Sequence, residues 1–152
     1  VAVRYPRGAQ RAIPESIKPT FADFDVFGDE NAEKAIITYG RTFSACAFAY
    51  EKLVNSGESV KLIKLNRIMP VCEGAVEAAK DCKDVYFFEE GIRRGGAGEG
   101  FLFDLSKAGF SGKYHLRAIE NGFVKQASVE SLLHKYGFDE EGVLSFVTSA
   151  ED

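Results

Sequence analysis

The residues best suited to chemistry lie in segment 89–100, which contains two adjacent acids, two adjacent arginines and five glycines. A glycine-rich turn between a strand and a helix can present backbone N–H groups and the positive end of the helix dipole to an anion. The glycine spacing fits neither the dinucleotide-binding motif nor the P-loop. Two interpretations stay open. One is an anion-binding or interface turn at Arg93, Arg94, Gly95, Gly96 and Gly98. The other, which we favour, is a tight turn whose glycines let a helix pack closely on the sheet.

Glu89 and Glu90 come at the carboxyl end of a predicted strand, where open parallel sheets bind their ligands. Such a position would suit acid–base catalysis. Because successive side chains of a strand point to opposite faces, the two carboxylates are not expected to act together. We therefore expect one of them to cap a helix or to lie at an interface.

The remaining reactive side chains do not form a recognisable catalytic or metal-binding pattern. His115 falls on a predicted strand and His134 on a predicted helix, so we expect structural histidines that are solvated or hydrogen-bonded. The three cysteines lack metal-ligand spacing, and Cys46 lies within an apolar helical pattern that predicts a buried thiol. The sequence predicts no catalytic residue, no cofactor-binding residue and no metal site in this chain.

Length and composition indicate one globular domain. The chain has 152 residues, of which 45% are hydrophobic and 28% charged, enough for a single core. Its net charge is −4 and its basic residues are scattered, which argues against a nucleic-acid partner. The longest apolar runs are far shorter than the ~20 residues of a membrane span, so no membrane partner is expected. Three cysteines, an odd number without metal-ligand spacing, favour a cytoplasmic chain with reduced thiols.

Apolar residues at three- and four-residue spacing predict a helix from about Thr42 to Asn55, with Thr42 as its N-cap and Ser56-Gly57 as its stop. Ser128 is predicted to cap a helix that Gly137 terminates, and Asp139 to start the last helix. Two shorter helical patterns cover residues 73–80 and the region around 101–105.

Two extended runs, 24–27 and 34–39, flank the turn-rich tetrapeptide 28–31 and predict a β-hairpin whose first run is an edge strand. Further strands are predicted at 60–65, 85–90 and 114–119. Strand and helix therefore alternate from about residue 35 onward, which favours right-handed crossovers and a mainly parallel sheet. The fold class predicted is α/β, a three-layer αβα sandwich with about five strands, one of them an antiparallel edge strand.

The start of the chain predicts a domain excised from a longer protein. It opens on an extended run without an initiator methionine and continues into a polar segment with Pro14 and Pro19. That segment has no periodicity, so we expect an interdomain linker or an arm lying on a surface. The predicted division is 1–22 for the end of a preceding domain plus linker, and 23–152 for the domain itself.

Several segments, in this order, resemble the C-terminal domain of the transketolase-like, thiamine-diphosphate-dependent enzymes. Within that family they are most similar to the 1-deoxy-D-xylulose-5-phosphate synthases. The resemblance rests on Val3–Gly8, Ala35–Gly40, Leu65–Pro70, Phe88–Gly98, Phe123–Leu133 and Tyr136–Gly142.

The resemblance implies a large homodimer that condenses pyruvate with glyceraldehyde 3-phosphate and releases carbon dioxide, for isoprenoid precursor and thiamine biosynthesis. It implies that thiamine diphosphate and Mg²⁺ are bound by upstream domains, the nearer of which is the pyrimidine-binding domain that would end within 1–22. The family's cofactor signature is Gly-Asp-Gly followed about thirty residues later by Asn. Here Gly28-Asp29-Glu30-Asn31 lacks the second glycine, so we interpret it as a turn, and the fragment alone is predicted to be inactive and to bind no cofactor.

The resemblance also implies two phosphate contacts. Arg4 matches the first arginine of the family's Arg-Tyr-Pro-Arg run, which resembles a substrate-phosphate ligand. The family has a second phosphate-binding arginine four residues before a proline; counting back from Pro70 gives Asn66, with Arg67 one position later. The second contact is therefore assigned to Asn66 or Arg67. Gln126 stands where the family usually has histidine, and no role is transferred to it.

Two alternatives from other functional classes stay open. The first is a non-catalytic docking module, like the equivalent domain in the beta subunit of 2-oxoacid dehydrogenases. The second is a regulatory small-ligand site at the glycine-rich turn, suggested by Arg93, Arg94 and the helix start.

Overall fold

The computed structural model describes residues 2–3, 11–120 and 122–149. The predicted phosphate ligand Arg4, with the run Arg4–Gly8, lies outside the described residues. The strands are β1 (Phe24–Phe27), β2 (Lys34–Thr38), β3 (Val60–Leu65), β4 (Asp84–Ile92) and β5 (Lys113–Ile119). The helices are α1 (Thr42–Asn55), α2 (Glu73–Ala79), α3 (Ala97–Lys107), α4 (Val129–Tyr136) and α5 (Glu140–Ser149). Within these ranges, no helix is both long enough and apolar enough to cross a membrane.

The described strands form one sheet in the order β1-β3-β2-β4-β5. β2 pairs in parallel with both β3 and β4, and β5 extends the parallel part beyond β4. β1 pairs antiparallel with β3 at the edge. The predicted α/β fold class, with a mainly parallel sheet and one antiparallel edge strand, is confirmed.

The predicted hairpin between the first two strands is wrong, because β1 pairs with β3 and not with β2. β2 is buried from Ala35 to Thr38 and already has a parallel neighbour on each side. The connection out of β1 crosses the start of β3, where Gly28 lies against the backbone of Val60 and Lys61. Asp25 of β1 stands opposite Lys64 of β3, an opposite-charge pair that suits this register.

Two apolar clusters fill the two faces of the sheet. α1, α4 and α5 cover one face, where the core includes Ile36, Leu62 and Phe88. α2 and α3 cover the other face, where it includes Ile37 and Phe87. Neighbouring residues of one strand serve opposite cores because strand side chains alternate between faces. This arrangement gives the predicted three layers.

Most helix ends follow their sequence signals. Ser128 accepts a hydrogen bond from the Ser131 amide at the start of α4, and Gly137 ends that helix in the left-handed conformation. The predicted N-cap of α1 is wrong, since Arg41 holds that position and Thr42 is the first helical residue. The Thr42 hydroxyl donates to the Tyr39 carbonyl at 2.9 Å and so is directed at the preceding turn.

The polar segment before β1, described over residues 11–23, is called the connector below. It lies against α1, in agreement with the predicted arm on a surface. Ser44 of α1 donates its hydroxyl to the Ala12 carbonyl at 2.5 Å, and Ser16 donates to Glu51 at 2.8 Å. Ile17 is only 4% exposed and belongs to the core beneath α1. The boundary at residue 22 remains a prediction.

Candidate functional site

The carboxyl ends of β2, β3 and β4 meet at one edge of the sheet because these strands are parallel. From β2 the chain moves to one side to form β3, and then crosses to the other side to form β4. In open α/β sheets, ligands bind at such a change of direction, here the crevice between β2 and β4. The predicted glycine-rich turn opens into this crevice.

The crevice is filled by the chain's own Glu89. This residue is fully buried, at 0% exposure. Its Oε2 accepts hydrogen bonds from the Tyr39 hydroxyl at 2.9 Å and the Ala97 amide at 3.0 Å, and its Oε1 accepts from the Gly98 amide at 3.1 Å. The carboxylate therefore caps the start of α3, where the helix dipole favours negative charge. The helix-capping interpretation is confirmed for Glu89.

Glu90 has a different environment from its neighbour. It is exposed, and its carboxylate lies 3.9 Å from the guanidinium of Arg41. The two adjacent acids thus point apart, as strand alternation predicts.

The glycines of the turn serve close packing. Gly95 adopts a φ of +76°, a conformation that favours glycine. A Cβ on Gly96 would overlap the Ile92 carbonyl oxygen and Glu89 Oε1, and a Cβ on Gly98 would lie 2.5 Å from Leu116 Cδ1. The favoured interpretation, a tight turn with close helix–sheet packing, is confirmed at these positions.

The two arginines of the turn do not converge on the helix start. Arg93 turns toward β5, where its Nε donates to Glu120 at 2.6 Å and its Nη2 to the Leu116 carbonyl at 2.9 Å. Arg94 is exposed. The Gly95 amide donates to Glu99 Oε2 at 2.7 Å. The anion or interface role of this turn stays a prediction, and Glu89 and Glu99 already use three of its amides.

Asn66 and Arg67 follow β3 and hold the connector in place. Asn66 Nδ2 donates to the Ala22 carbonyl and to Asp25 Oδ2, each at 2.8 Å. The Arg67 guanidinium lies 3.1 Å from Asp23 and is 43% exposed. Backbone amides of both residues also donate to the Asp23 carbonyl. These contacts within the chain do not test the predicted phosphate contact of Asn66 or Arg67, which stays a prediction.

Asp25 lies at the centre of a group of polar residues that we call the polar cluster after β3. The members of the cluster are Thr20, Asp23, Asp25, Asn66 and Arg67. Burial raises the pKa of Asp25, but hydrogen bonds from Thr20 and Asn66 outweigh that effect and leave the pKa below its ordinary value. Thr20 donates both its hydroxyl, at 2.6 Å, and its amide, at 3.0 Å, to the same carboxylate oxygen. The aspartate therefore stays ionised and fastens the connector to the end of β3.

The sequence reasoning did not identify Tyr39, Asp23 or Asp25 as members of these sites. Tyr39 is fifty positions from its partner Glu89. A local signal existed only for Tyr39, which is the last residue of the predicted strand 34–39 and so is expected at the same edge of the sheet as Glu89. Asp23 and Asp25 depend on the pairing of β1 with β3, which the predicted hairpin excluded.

The histidines and the buried cysteine have structural surroundings. His115 Nε2 lies 2.8 Å from Asp84, and its ring stacks on Tyr86. His134 lies 2.7 Å from Asp139, whose hydrogen bond raises the pKa of the imidazole. Burial raises the pKa of the Cys46 thiol to about 12, so it is not a nucleophile at neutral pH. Over residues 11–120 and 122–149, no three His, Cys, Asp or Glu side chains are grouped to hold a metal ion.

The family model described as the C-terminal domain of transketolase matches residues 28–143. The 1-deoxy-D-xylulose-5-phosphate synthase of Shouchella clausii is 25% identical over 152 residues, covering 98% of this chain and 24% of the relative. The protein of the same name from Clostridium botulinum (strain Eklund 17B) is 30% identical over 145 residues, covering 91% of this chain and 23% of the relative. The chain thus spans about a quarter of the length of these curated relatives.

Among solved structures, a split-gene transketolase in the form of an inactive beta4 tetramer superimposes with a TM-score of 0.73. It is 21% identical, and the match covers 91% of this chain and 45% of that chain. At this identity the likeness shows the fold alone. The fold and the family resemblance therefore agree.

Proposed function

The chain belongs to the transketolase C-terminal domain family, and from this membership we propose that it is the C-terminal domain of a 1-deoxy-D-xylulose-5-phosphate synthase-like enzyme. The observation that carries the proposal is the similarity to a synthase of that name along 98% of this chain. That similarity extends beyond the match to the family model, residues 28–143, and so includes the connector. It favours the synthase over the docking module of a 2-oxoacid dehydrogenase.

The reaction proposed for the longer enzyme joins pyruvate to glyceraldehyde 3-phosphate with loss of carbon dioxide. Thiamine diphosphate, with Mg²⁺, would supply the chemistry that removes the carboxyl group. The residues of this chain do not fit that cofactor. The crevice at the change of strand direction holds the buried Glu89 carboxylate, which would repel a diphosphate. In the segment 28–31, Asp29 accepts a hydrogen bond from the Asn31 amide within a turn.

We place the cofactor on upstream domains of the enzyme, which we propose to be a cytoplasmic homodimer. The work of this domain is then to support the dimer and to complete the end of the active site that holds the acceptor phosphate. The polar cluster after β3 supports this division. It fastens the connector to the sheet through Asn66 and Arg67, and Arg4 precedes the connector in the sequence. A guanidinium fork suits a phosphate dianion.

The phosphate role is tested by steady-state kinetics of the full-length enzyme carrying Arg4→Ala or Arg67→Ala. Each substitution should raise KM for glyceraldehyde 3-phosphate about tenfold and leave KM for pyruvate unchanged, because only the acceptor carries a phosphate. Lys113→Ala, at an exposed cation at the amino end of β5, is the matched control and should leave both constants unchanged. Equal losses for the two substrates would contradict a phosphate contact at the substituted arginine.

A further inference from the structure

A cleft of about 450 Å³ opens beside the carboxyl half of β5, and we call it the β5 cleft. Its floor is residues 116–120. Its walls are Lys135 and Tyr136 at the end of α4, Phe146 of α5, and the segment 122–124. The volume falls in the range of small-molecule sites, about 300–1,000 Å³. The position is separate from the polar cluster after β3, because three strand-to-strand steps of the sheet, about 14 Å, divide β3 from β5.

The lining of the β5 cleft is rich in positive charge although the whole chain has a net charge of −4. Arg93, Arg117 and Lys135 face one carboxylate in the lining, that of Glu120. Arg93 is bound to Glu120 at 2.6 Å. The remaining two cations therefore have no counter-charge within the described lining of the cleft.

Arg117 is held in place by groups that leave its charge uncompensated. Its guanidinium lies 4.2 Å from the centre of the Phe146 ring, and its Nη1 donates to the Tyr136 carbonyl at 3.5 Å. Its Nε is buried and has no hydrogen-bond partner among the residues that the structure describes. Burial and the nearby positive charge of Arg93 both lower the pKa of Arg117. An anion bound in the cleft would offset both effects, because its negative charge stabilises the charged guanidinium.

Gly137 leaves the space that the Arg117 guanidinium occupies. Its φ is +70°, and a Cβ there would lie 2.6 Å from Arg117 Nη1. The end of α4 thus passes directly over the guanidinium, and a side chain at this position would displace it from the cleft.

The rest of the lining is apolar and aromatic. Phe123 is fully exposed, at 105% of its reference area, on the segment that forms the outer wall. Tyr136 and Phe146 add two more aromatic rings to the lining. A few convergent polar groups within an apolar, aromatic surface are typical of small-molecule sites.

We propose that the β5 cleft binds a small phosphorylated metabolite with an apolar body, its phosphate between Arg117 and Lys135 and its body against Phe123. The site goes beyond the proposed function, which assigns the acceptor phosphate to the region of Arg4 and Arg67. It also differs from the turn at Arg93–Gly98, since the cations that carry it come from β5 and α4.

Calorimetric titration of the chain at pH 7.5 with phenyl phosphate, inorganic phosphate and phenol tests the assignment. Phenyl phosphate should bind one to one and more tightly than inorganic phosphate, and phenol should not bind, because both the charge and the apolar body are required. Lys135→Glu should weaken phenyl phosphate binding about tenfold or more, since it reverses one of the two charges that have no counter-charge in the described lining. Lys113→Glu is the matched control; Lys113 is exposed at the opposite end of β5, stands outside the described lining of the cleft, and its reversal should change affinity little.

The exposed Phe123→Ser variant separates the two parts of the proposal without touching the core. It should remove the advantage of phenyl phosphate over inorganic phosphate and leave inorganic phosphate binding intact. The proposal is overturned if phenyl phosphate shows no saturation up to about 10 mM, or if Lys135→Glu and Lys113→Glu weaken its binding equally. Equal affinity of the unsubstituted chain for the two phosphates would overturn the apolar body.

Discussion

Glu89 replaces, from within the chain, the anion that a glycine-rich turn at a helix start would otherwise receive. One buried carboxylate satisfies two orphan amides of α3 and one tyrosine hydroxyl. It thereby joins the end of β4, the residue after β2 and the start of α3. A buried charge is tolerated when hydrogen bonds and a helix dipole stabilise it. The residue that most resembles a catalytic acid is therefore a structural one.

The Glu89→Gln substitution tests that role. The amide NH₂ must face at least one of the donors that the lost oxygen accepted from, so we expect a loss of about 2 kcal/mol in the free energy of unfolding. Urea denaturation followed by circular dichroism measures it. Glu90→Gln is the matched control. The Glu90 carboxylate is exposed and its contact with Arg41 is long, at 3.9 Å, so the free energy of unfolding should change by no more than about 0.5 kcal/mol. Equal effects at the two positions would remove the assigned role of Glu89.

At the scale of elements, local signals were sufficient where the stabilising contacts are local. Helix α4 begins after Ser128 and ends at Gly137, as predicted, because an N-cap and a left-handed C-cap glycine each act within a few residues. The partner of β1 could not be predicted in this way. Its choice of β3 depends on Asp25 meeting Lys64 and Asn66, about forty positions away. The turn signal at 28–31 was correct as a turn but did not determine which strand follows in space.

The candidate site divides along the same line. That one of the two acids caps a helix follows from its place between strand and glycine turn. That the acid is Glu89 and that Tyr39 shares it follow from packing across two strands, which periodicity does not reveal. Two further contacts likewise depend on tertiary packing. Arg93 contacts Glu120 because β4 pairs with β5, and Arg117 contacts Phe146 because α5 packs on the sheet.

Two glycines at the start of α3, Gly96 before the helix and Gly100 within it, test the packing argument with measurable stabilities. Gly96→Ala should destabilise the fold by about 2 kcal/mol, because its Cβ meets the Ile92 carbonyl, a backbone group that cannot rotate away. Gly100 lies inside α3 with open space around its Cα. Gly100→Ala should therefore stabilise the chain by about 1 kcal/mol through helix propensity. Thermal unfolding of the two variants should show shifts of opposite sign, and shifts of the same sign would contradict the close-packing interpretation.

At the scale of the whole molecule, β2 connects both halves of the structure. It is the central strand, and two of its own adjacent residues, Ile36 and Ile37, are fully buried in different cores. The helices on the two faces therefore pack against the same strand backbone. Arg117 and Glu89 also belong to this shared frame, since both lie on strands of the sheet that the two cores enclose. We infer that the faces unfold together.

Ile36→Ala and Ile37→Ala test this coupling. Each removes a fully buried side chain and should lower the free energy of unfolding by about 2–5 kcal/mol. Methyl NMR signals of Val143, of α5, and Leu105, of α3, report the two cores separately. In both variants the two signals should disappear at the same urea concentration, because losing either face removes the support of β2. If Ile37→Ala released Leu105 at lower urea than Val143, the two faces would be independent units and the central role of β2 would be lost.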